Sequence, residues 1–217
     1  ADGDTPGGTI QRRWRGRFAQ VAWDASGMSA FSDHFGSVPL YWCQAGEHVA
    51  IASDLRLLLH APWCDAGIDL EAVYHYLNFS YIPAPLTICR QIRKLEPGSR
   101  LRLSRSHAQS DCYFLPEYPA DLQGSDSRLA ADLREQIVAS VQDYRPDDRQ
   151  PWGCFLSGGT DSSSVVTILA RQRPDRRVRT CSIGFAEAGY NELEYSRLAA
   201  RGCGADASFA TVDRARA

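Results

Sequence analysis

No stretch of this 217-residue chain stays apolar for long. The richest run, DLRLLLHA at Asp54–Ala61, is broken by charge and falls far short of the ~20 residues a bilayer-spanning helix needs. The opening ADGDTPGGTIQRRW carries no apolar signal core, so neither a membrane span nor a secretory leader is expected and the setting is read as cytoplasmic. Cysteine occurs at Cys43, Cys64, Cys89, Cys112, Cys154, Cys181 and Cys203, and never as a C-x-x-C pair. An odd, scattered set argues against zinc and against a disulfide framework, and a reduced compartment is the simplest setting. A charge excess is missing too: 24 basic against 26 acidic residues leave a net charge of -2, without the basic surplus that nucleic acid or an anionic membrane would call for. There is no internal repeat and no low-complexity tract. The only methionine is Met28, inside a strand pattern, while residue 1 is Ala1, so the sequence is expected to begin partway through a longer protein.

What is present falls into two periodicities. From Arg17 to about Leu103 short alternating runs, RFAQVAWD, MSAFSD, VPLYWCQ and HVAIASD, are separated by Gly27, Gly36 and Gly46 and read as strands. One helix is expected from an Asp69 N-cap, with Leu70, Val73, Tyr74 and Leu77 on its packing face, and the prolines of YIPAPLTI forbid its continuation. Tyr74, Tyr76, Phe79 and Tyr81 read as the packing aromatics of that helix rather than a ligand box. His34 is expected to face solvent; His48, His60, His75 and His107 lack metal-ligand spacing.

The segment PEYPADLQGSDS, rich in Pro, Gly, Asp and Ser, marks a boundary. It gives a first domain over 1–118, a linker over 119–125 and a second domain over 126–217. The second opens on a helix in which Leu129, Leu133, Ile137 and Val141 recur as a core-facing stripe. A buried strand GCFLS follows, then a loop, a helix over 162–173, a strand VRTCSIGF, a helix from Asn191 with Asn191 and Glu194 in capping-box relation, and a third strand. Strand, helix, strand, helix, strand is the signature of an α/β domain with a parallel sheet. The pattern is unfinished at SFATVDRARA, so the sequence is expected to be cut at this end as well.

The loop in FLSGGTDSSSVV, Phe155–Val166, carries the chemistry. At the carboxyl end of a parallel strand, opening a helix, it presents unpaired N–H groups and the positive end of the helix dipole, which together favour an anion. Gly158 and Gly159 let the backbone approach an oxyanion, and Ser157, Thr160, Ser162 and Ser163 can donate hydroxyl hydrogen bonds. A Walker loop is excluded because no lysine follows the last glycine, and the dinucleotide pattern G-x-G-x-x-G is absent. Asp161 sits where it would repel phosphate unless a divalent cation, read as Mg²⁺, bridges carboxylate and phosphate. The plainer alternative is a strand-to-helix turn capped by Asp161 or Ser162.

S-G-G-x-D-S-S in this context resembles the pyrophosphate loop of the ATP pyrophosphatase superfamily. In the first half, GRFAQVAWD, SDHFGSVPLYW and ASDLRLLL are similar to segments of class II glutamine amidotransferase domains, and YIPAPLTICRQIRKLEPGSRL to a segment of the asparagine synthetase family. From about Gly16 to Asp213 the chain therefore resembles the asparagine synthetase family. The resemblance implies an α+β part, the remnant of an N-terminal-nucleophile glutaminase sandwich, followed by a truncated α/β ATP pyrophosphatase domain. It implies that Leu156, Ser157, Gly158, Gly159, Asp161, Ser162, Ser163, Ile183 and Gly184 bind ATP and pyrophosphate, with Mg²⁺ on Asp161. The implied substrates are ATP, aspartate or another carboxylate, and glutamine or ammonia; the implied product is an amide formed through an acyl-adenylate.

Departures bear on the detail. The family's R-D is Ser32-Asp33 here, RQPWG stands where D-V-P-x-G is common, and ADASFATVD replaces a histidine-rich strand end. A class II amidotransferase needs an N-terminal cysteine. Cys43, the first here, reads as a packed strand residue, so no catalytic residue is identifiable and the chain alone is expected to be inactive. The alternatives are an intramolecular amide-forming cyclase, of the β-lactam synthetase or lasso-peptide cyclase type, and a degenerate nucleotide-binding relative.

Overall fold

The computed structural model describes residues 14–118, 123–147, 149–185 and 192–212. The chain divides into two compact units, Ala1–Ala120 and Asp121–Ala217.

In the first unit the four alternating runs become β1 (Ala19–Asp24), β2 (Gly27–Ser32), β3 (Tyr41–Ala45) and β4 (His48–Ala52), and β5 (Ile92–Lys94), β6 (Ser99–Leu103) and β7 (Ala108–Cys112) follow outside those runs. They form two antiparallel sheets, ordered β1-β2-β6-β7 and β4-β3-β5. Because side chains alternate across a strand, Ala30, Leu101 and Leu103 of the first sheet can face Trp42, Val49 and Ile51 of the second, and these close a core with Leu40 and Leu95. The other face of the second sheet buries Cys43 and Ile92 against Leu58 of the short helix α1 (Leu55–Leu58), with Cys89 and Cys64 beside them. Burial first, and the Cys64 thiol second, push Cys43 up to about 12, so it packs as a neutral thiol.

The Ser32-Asp33 departure lies at a hub of hydrogen bonds. Buried Asp33 accepts backbone N–H bonds from Phe18, Phe35, Ser37 and Val38 at 3.0–3.3 Å. Burial would raise its pKa, but these bonds outweigh burial and hold it below the ordinary 3.8. Ser32 is buried as well, its Oγ donating to the Glu96 carbonyl at 2.5 Å and accepting the Ser99 N–H at 3.1 Å. The Tyr113 hydroxyl donates to the Ser32 carbonyl. His34 does not face solvent as expected. The turn around Asp33 folds its ring onto Phe114, centroids 4.1 Å apart, and leaves its Nε2 buried.

Asp69 caps helix α2 (Leu70–Phe79), its side chain accepting from the N–H groups of Glu71 and Ala72. The helix stops at Ser80, left-handed at φ 60°, before the prolines. Its packing side is not the one the spacing predicts. Ala72 is fully buried, whereas Leu70 and Leu77 are 80% and 76% exposed, and Tyr74, Tyr76, Phe79 and Tyr81 are exposed too. Apolar spacing identifies a stripe but not its cover, and among the described residues nothing covers this one.

The second unit runs α3 (Asp126–Asp143), β8 (Cys154–Phe155), α4 (Thr160–Gln172), β9 (Arg179–Phe185), α5 (Leu193–Cys203) and β10 (Asp206–Val212). The strands are parallel, in the order β10-β9-β8. One face of this sheet packs on α4 and α5 through Leu156, Val166, Leu169, Val178 and Ala200. On the other face Phe155, Ile183 and Phe185 are exposed. The predicted stripe of α3 is not core-facing: Leu133 and Ile137 are exposed, and only Leu129 and Val141 are half-buried. Helix α5 ends at Gly204, left-handed at φ 67°. The expected cap Asn191 lies outside the described residues.

Candidate functional site

The loop leaves the sheet at a residue pinned by the strand beside it. The Leu156 N–H donates to the Cys181 carbonyl at 3.0 Å, and the Ser182 hydroxyl donates to the Leu156 carbonyl at 2.6 Å. At 1% exposure Leu156 lies in the core and anchors the start of the loop. Ser182 is a positioning residue that motif reading does not find, because its role depends on strand register rather than on any local pattern.

The two glycines have different physical reasons. Gly158 has φ +86°, and a Cβ there would lie 2.5 Å from the Ser196 nitrogen and 2.6 Å from the Tyr195 carbonyl carbon. It is glycine because the first turn of α5 presses on it. Gly159 has φ -70° and ψ 163°, which any residue adopts, and a Cβ there would meet only the Ser157 Oγ, at 3.4 Å. Its missing side chain leaves open space over the loop, a space that suits a ligand approaching the backbone.

Ser157 and Ser162 brace the loop from within. The Ser162 Oγ accepts the Ser157 N–H at 3.2 Å and donates to the Gly159 carbonyl at 3.3 Å, while the Ser157 Oγ accepts the Gly159 N–H at 3.3 Å. The two hydroxyls are 3.1 Å apart. The cap that the plainer alternative would need, Asp161 or Ser162, is absent: α4 begins at Thr160, two residues earlier than predicted, its N-cap is Gly159, and no side chain caps it. The first-turn N–H groups therefore keep their capacity to bind an acceptor, with the positive end of the helix dipole behind them. The Ser163 hydroxyl, one turn into the helix, is buried without a hydrogen-bond partner. Asp161 projects an exposed carboxylate from the same turn.

Parallel pairing of Phe155 with Cys181 puts Ser157 level with Ile183 at the carboxyl end of the sheet. Ile183 is 53% exposed and Gly184 is buried on the helix-covered face. The structure thus gathers Ser157 to Ser163 into one loop with Ile183 beside it, and draws Leu156 and Gly184 inward. Crevices of this kind, beyond the carboxyl ends of parallel strands, are where α/β sheets bind ligands. Among the described residues no group of three or more His, Cys, Asp or Glu could hold a metal unaided. A cation at Asp161 would therefore share its coordination with ligand oxygens, the pattern Mg²⁺ favours at nucleotide phosphates. No helix of the described residues is long and apolar enough to cross a membrane.

Comparison with known proteins matches the chain to two family models. A family model described as a glutamine amidotransferase domain matches residues 4–114, and one described as asparagine synthase matches residues 132–216. The chain is 31% identical over 195 residues to asparagine synthetase [glutamine-hydrolyzing] 1 of Bacillus subtilis, covering 88% of this chain and 30% of that protein. It is also 31% identical over 211 residues to a putative asparagine synthetase [glutamine-hydrolyzing] of Mycobacterium bovis, covering 92% and 31% respectively. A more distant relative, amidase chry2 of Gibberella zeae, is 26% identical over 173 residues, covering 72% of this chain and 23% of the amidase. The chain spans about three tenths of the length of the synthetases it matches.

Proposed function

The chain belongs to the asparagine synthetase family, and from that premise we propose that its second unit binds the triphosphate of ATP in a glutamine-dependent, amide-forming ligase. On this reading the first unit is the later part of a class II amidotransferase-like sandwich. The second is the first part of an ATP pyrophosphatase-type domain. In the whole protein a carboxylate oxygen, that of the aspartate side chain, attacks the α-phosphorus of ATP. The α–β anhydride bond breaks and pyrophosphate leaves. Ammonia released from glutamine then attacks the acyl carbon and AMP departs, giving asparagine. This chain contributes the cradle for the leaving pyrophosphate: first-turn N–H groups of α4, the hydroxyls of Ser157 and Ser163, and Asp161 for Mg²⁺.

The observation that carries the proposal is Gly159. Neither its dihedrals nor its neighbours require glycine, and room for an approaching oxyanion is the reason for glycine that this reading supplies. Asp161 supplies the test. With Mg²⁺ its carboxylate helps hold the metal–phosphate pair; without Mg²⁺ it repels the phosphates. Asp161→Asn is therefore expected to weaken ATP binding at least tenfold, about 1.4 kcal/mol, in Mg²⁺, yet to strengthen it in EDTA. Calorimetric titration in both buffers decides the matter. A variant that binds ATP as the parent chain does in both buffers removes Asp161 from the site and the cation bridge with it.

A further inference from the structure

The end of the parallel sheet opposite the loop carries a second concavity. Its walls come from Gln150–Trp152, leading into β8, and from the turn Arg173–Arg179 between α4 and β9. Between Arg171 and Arg179 the sequence places five arginines and a single aspartate, in a chain whose net charge is -2. Val178, 3% exposed, pins this turn in the core, so that Arg176, Arg177 and Arg179 are held around it at the surface. Arg173 Nε lies 3.4 Å from Asp175 Oδ1, while among the described residues Arg177 and Arg179 form no ion pair. Holding like charges around one small hollow is unfavourable unless something of opposite charge offsets it.

The choice of arginine matters too: of the chain's 24 basic residues all but Lys94 are arginine, and the planar guanidinium fork pairs with oxyanions through two parallel bonds.

We propose that this hollow, lined by Arg173, Arg176, Arg177, Arg179 and Trp152, is a second anion site that takes a compact, multiply charged phosphate-type oxyanion. The Arg177 and Arg179 forks, which form no ion pair among the described residues, suit the several oxygens of a phosphate-type anion, whereas a single carboxylate fills one fork. The indole closes one wall, and the concave form excludes a nucleic-acid duplex. The site is distinct from the Gly158-Gly159 loop, since the two lie at opposite ends of the same strands, and it stands whether or not that loop binds ATP.

The test uses the 217-residue chain labelled with ¹⁵N at tryptophan, with the Trp152 indole resonance assigned through Trp152→Phe. Inorganic pyrophosphate, citrate and sodium chloride are titrated at matched ionic strength. Pyrophosphate is expected to move the Trp152 resonance saturably. The apparent affinity should fall at least tenfold in the double variant Arg177→Ala, Arg179→Ala, whose replaced side chains are exposed, and should be unchanged in Gly159→Ala. A shift that follows ionic strength alone overturns the proposal, as does an undiminished shift in the arginine variant. Citrate binding tighter than pyrophosphate overturns the phosphate assignment. Loss of the response in Gly159→Ala would relocate the binding to the loop.

Discussion

Replacing the two loop glycines one at a time separates what folding demands from what the ligand demands. At Gly158 an alanine would have to keep φ +86°, and its Cβ would begin 2.5 Å from the Ser196 nitrogen. The dihedral costs an L-residue about 1–2 kcal/mol. Relieving the overlap means moving the first turn of α5, an overpacking of the sort that costs about 1–3 kcal/mol. Gly158→Ala should therefore destabilise the second unit by about 2–5 kcal/mol, a large share of the ~5–15 kcal/mol that holds a domain together. Followed by Trp152 fluorescence in urea, the midpoint should fall by about 1 M or more, since the slope for small proteins is about 1–3 kcal/mol per molar. At Gly159 the backbone already suits alanine and the nearest atom is 3.4 Å away, so the midpoint should barely move. ATP affinity in Mg²⁺, measured by calorimetry, should nevertheless fall at least tenfold. Equal unfolding midpoints for Gly158→Ala and the parent chain would refute the packing account. Unimpaired ATP binding by Gly159→Ala would refute the cradle.

Three further outcomes follow from groups in the first unit. Asp33 has its pKa lowered by four backbone N–H bonds despite burial, so the stability it confers is present above the ordinary 3.8 and is lost as pH falls through the lowered value. Asp33→Ala, which strands those donors, should cost about 3 kcal/mol or more and flatten the acid limb of a stability-against-pH curve; a limb as steep as the parent's would sink the hub assignment. Burial, and next the Asp33 carboxylate, raise the Tyr113 phenol to about 12, so difference absorbance at 295 nm should show a phenol still protonated at pH 11, lost in Tyr113→Phe. Exposed Cys112 and Cys181 should react with an aromatic disulfide reagent in the folded chain, while Cys43, with a thiol near 12, should react only on unfolding; labelling of Cys43 at the same rate would contradict its place in the core.

Local pattern made much of this chain legible. The first four strands of the first unit, the Asp69 cap, the strand–loop–helix around Gly158-Gly159 and the parallel order of the second unit all follow from alternation, capping chemistry and glycine placement. These signals involve residues close together in sequence. Packing faces were not legible. The spacing of Leu70, Tyr74 and Leu77, and of Leu133 and Ile137, shows that one side of a helix is apolar, but which side is buried depends on what lies opposite. His34 reads as a surface residue until Phe114, eighty positions away, comes to lie beneath its ring.

The same division holds at the site. The sequence by itself determined that a glycine-rich loop without a Walker lysine opens a helix, and which family's segments surround it, because glycines, hydroxyls and an acidic residue at fixed spacing are local facts. Only the tertiary structure decided that Gly158 answers to the first turn of α5 and Gly159 to open space, that Ser162 braces the loop rather than caps the helix, and that Leu156 is buried and pinned by β9. Each of those depends on strand register and on residues brought together from tens of positions apart, and no window of sequence contains them.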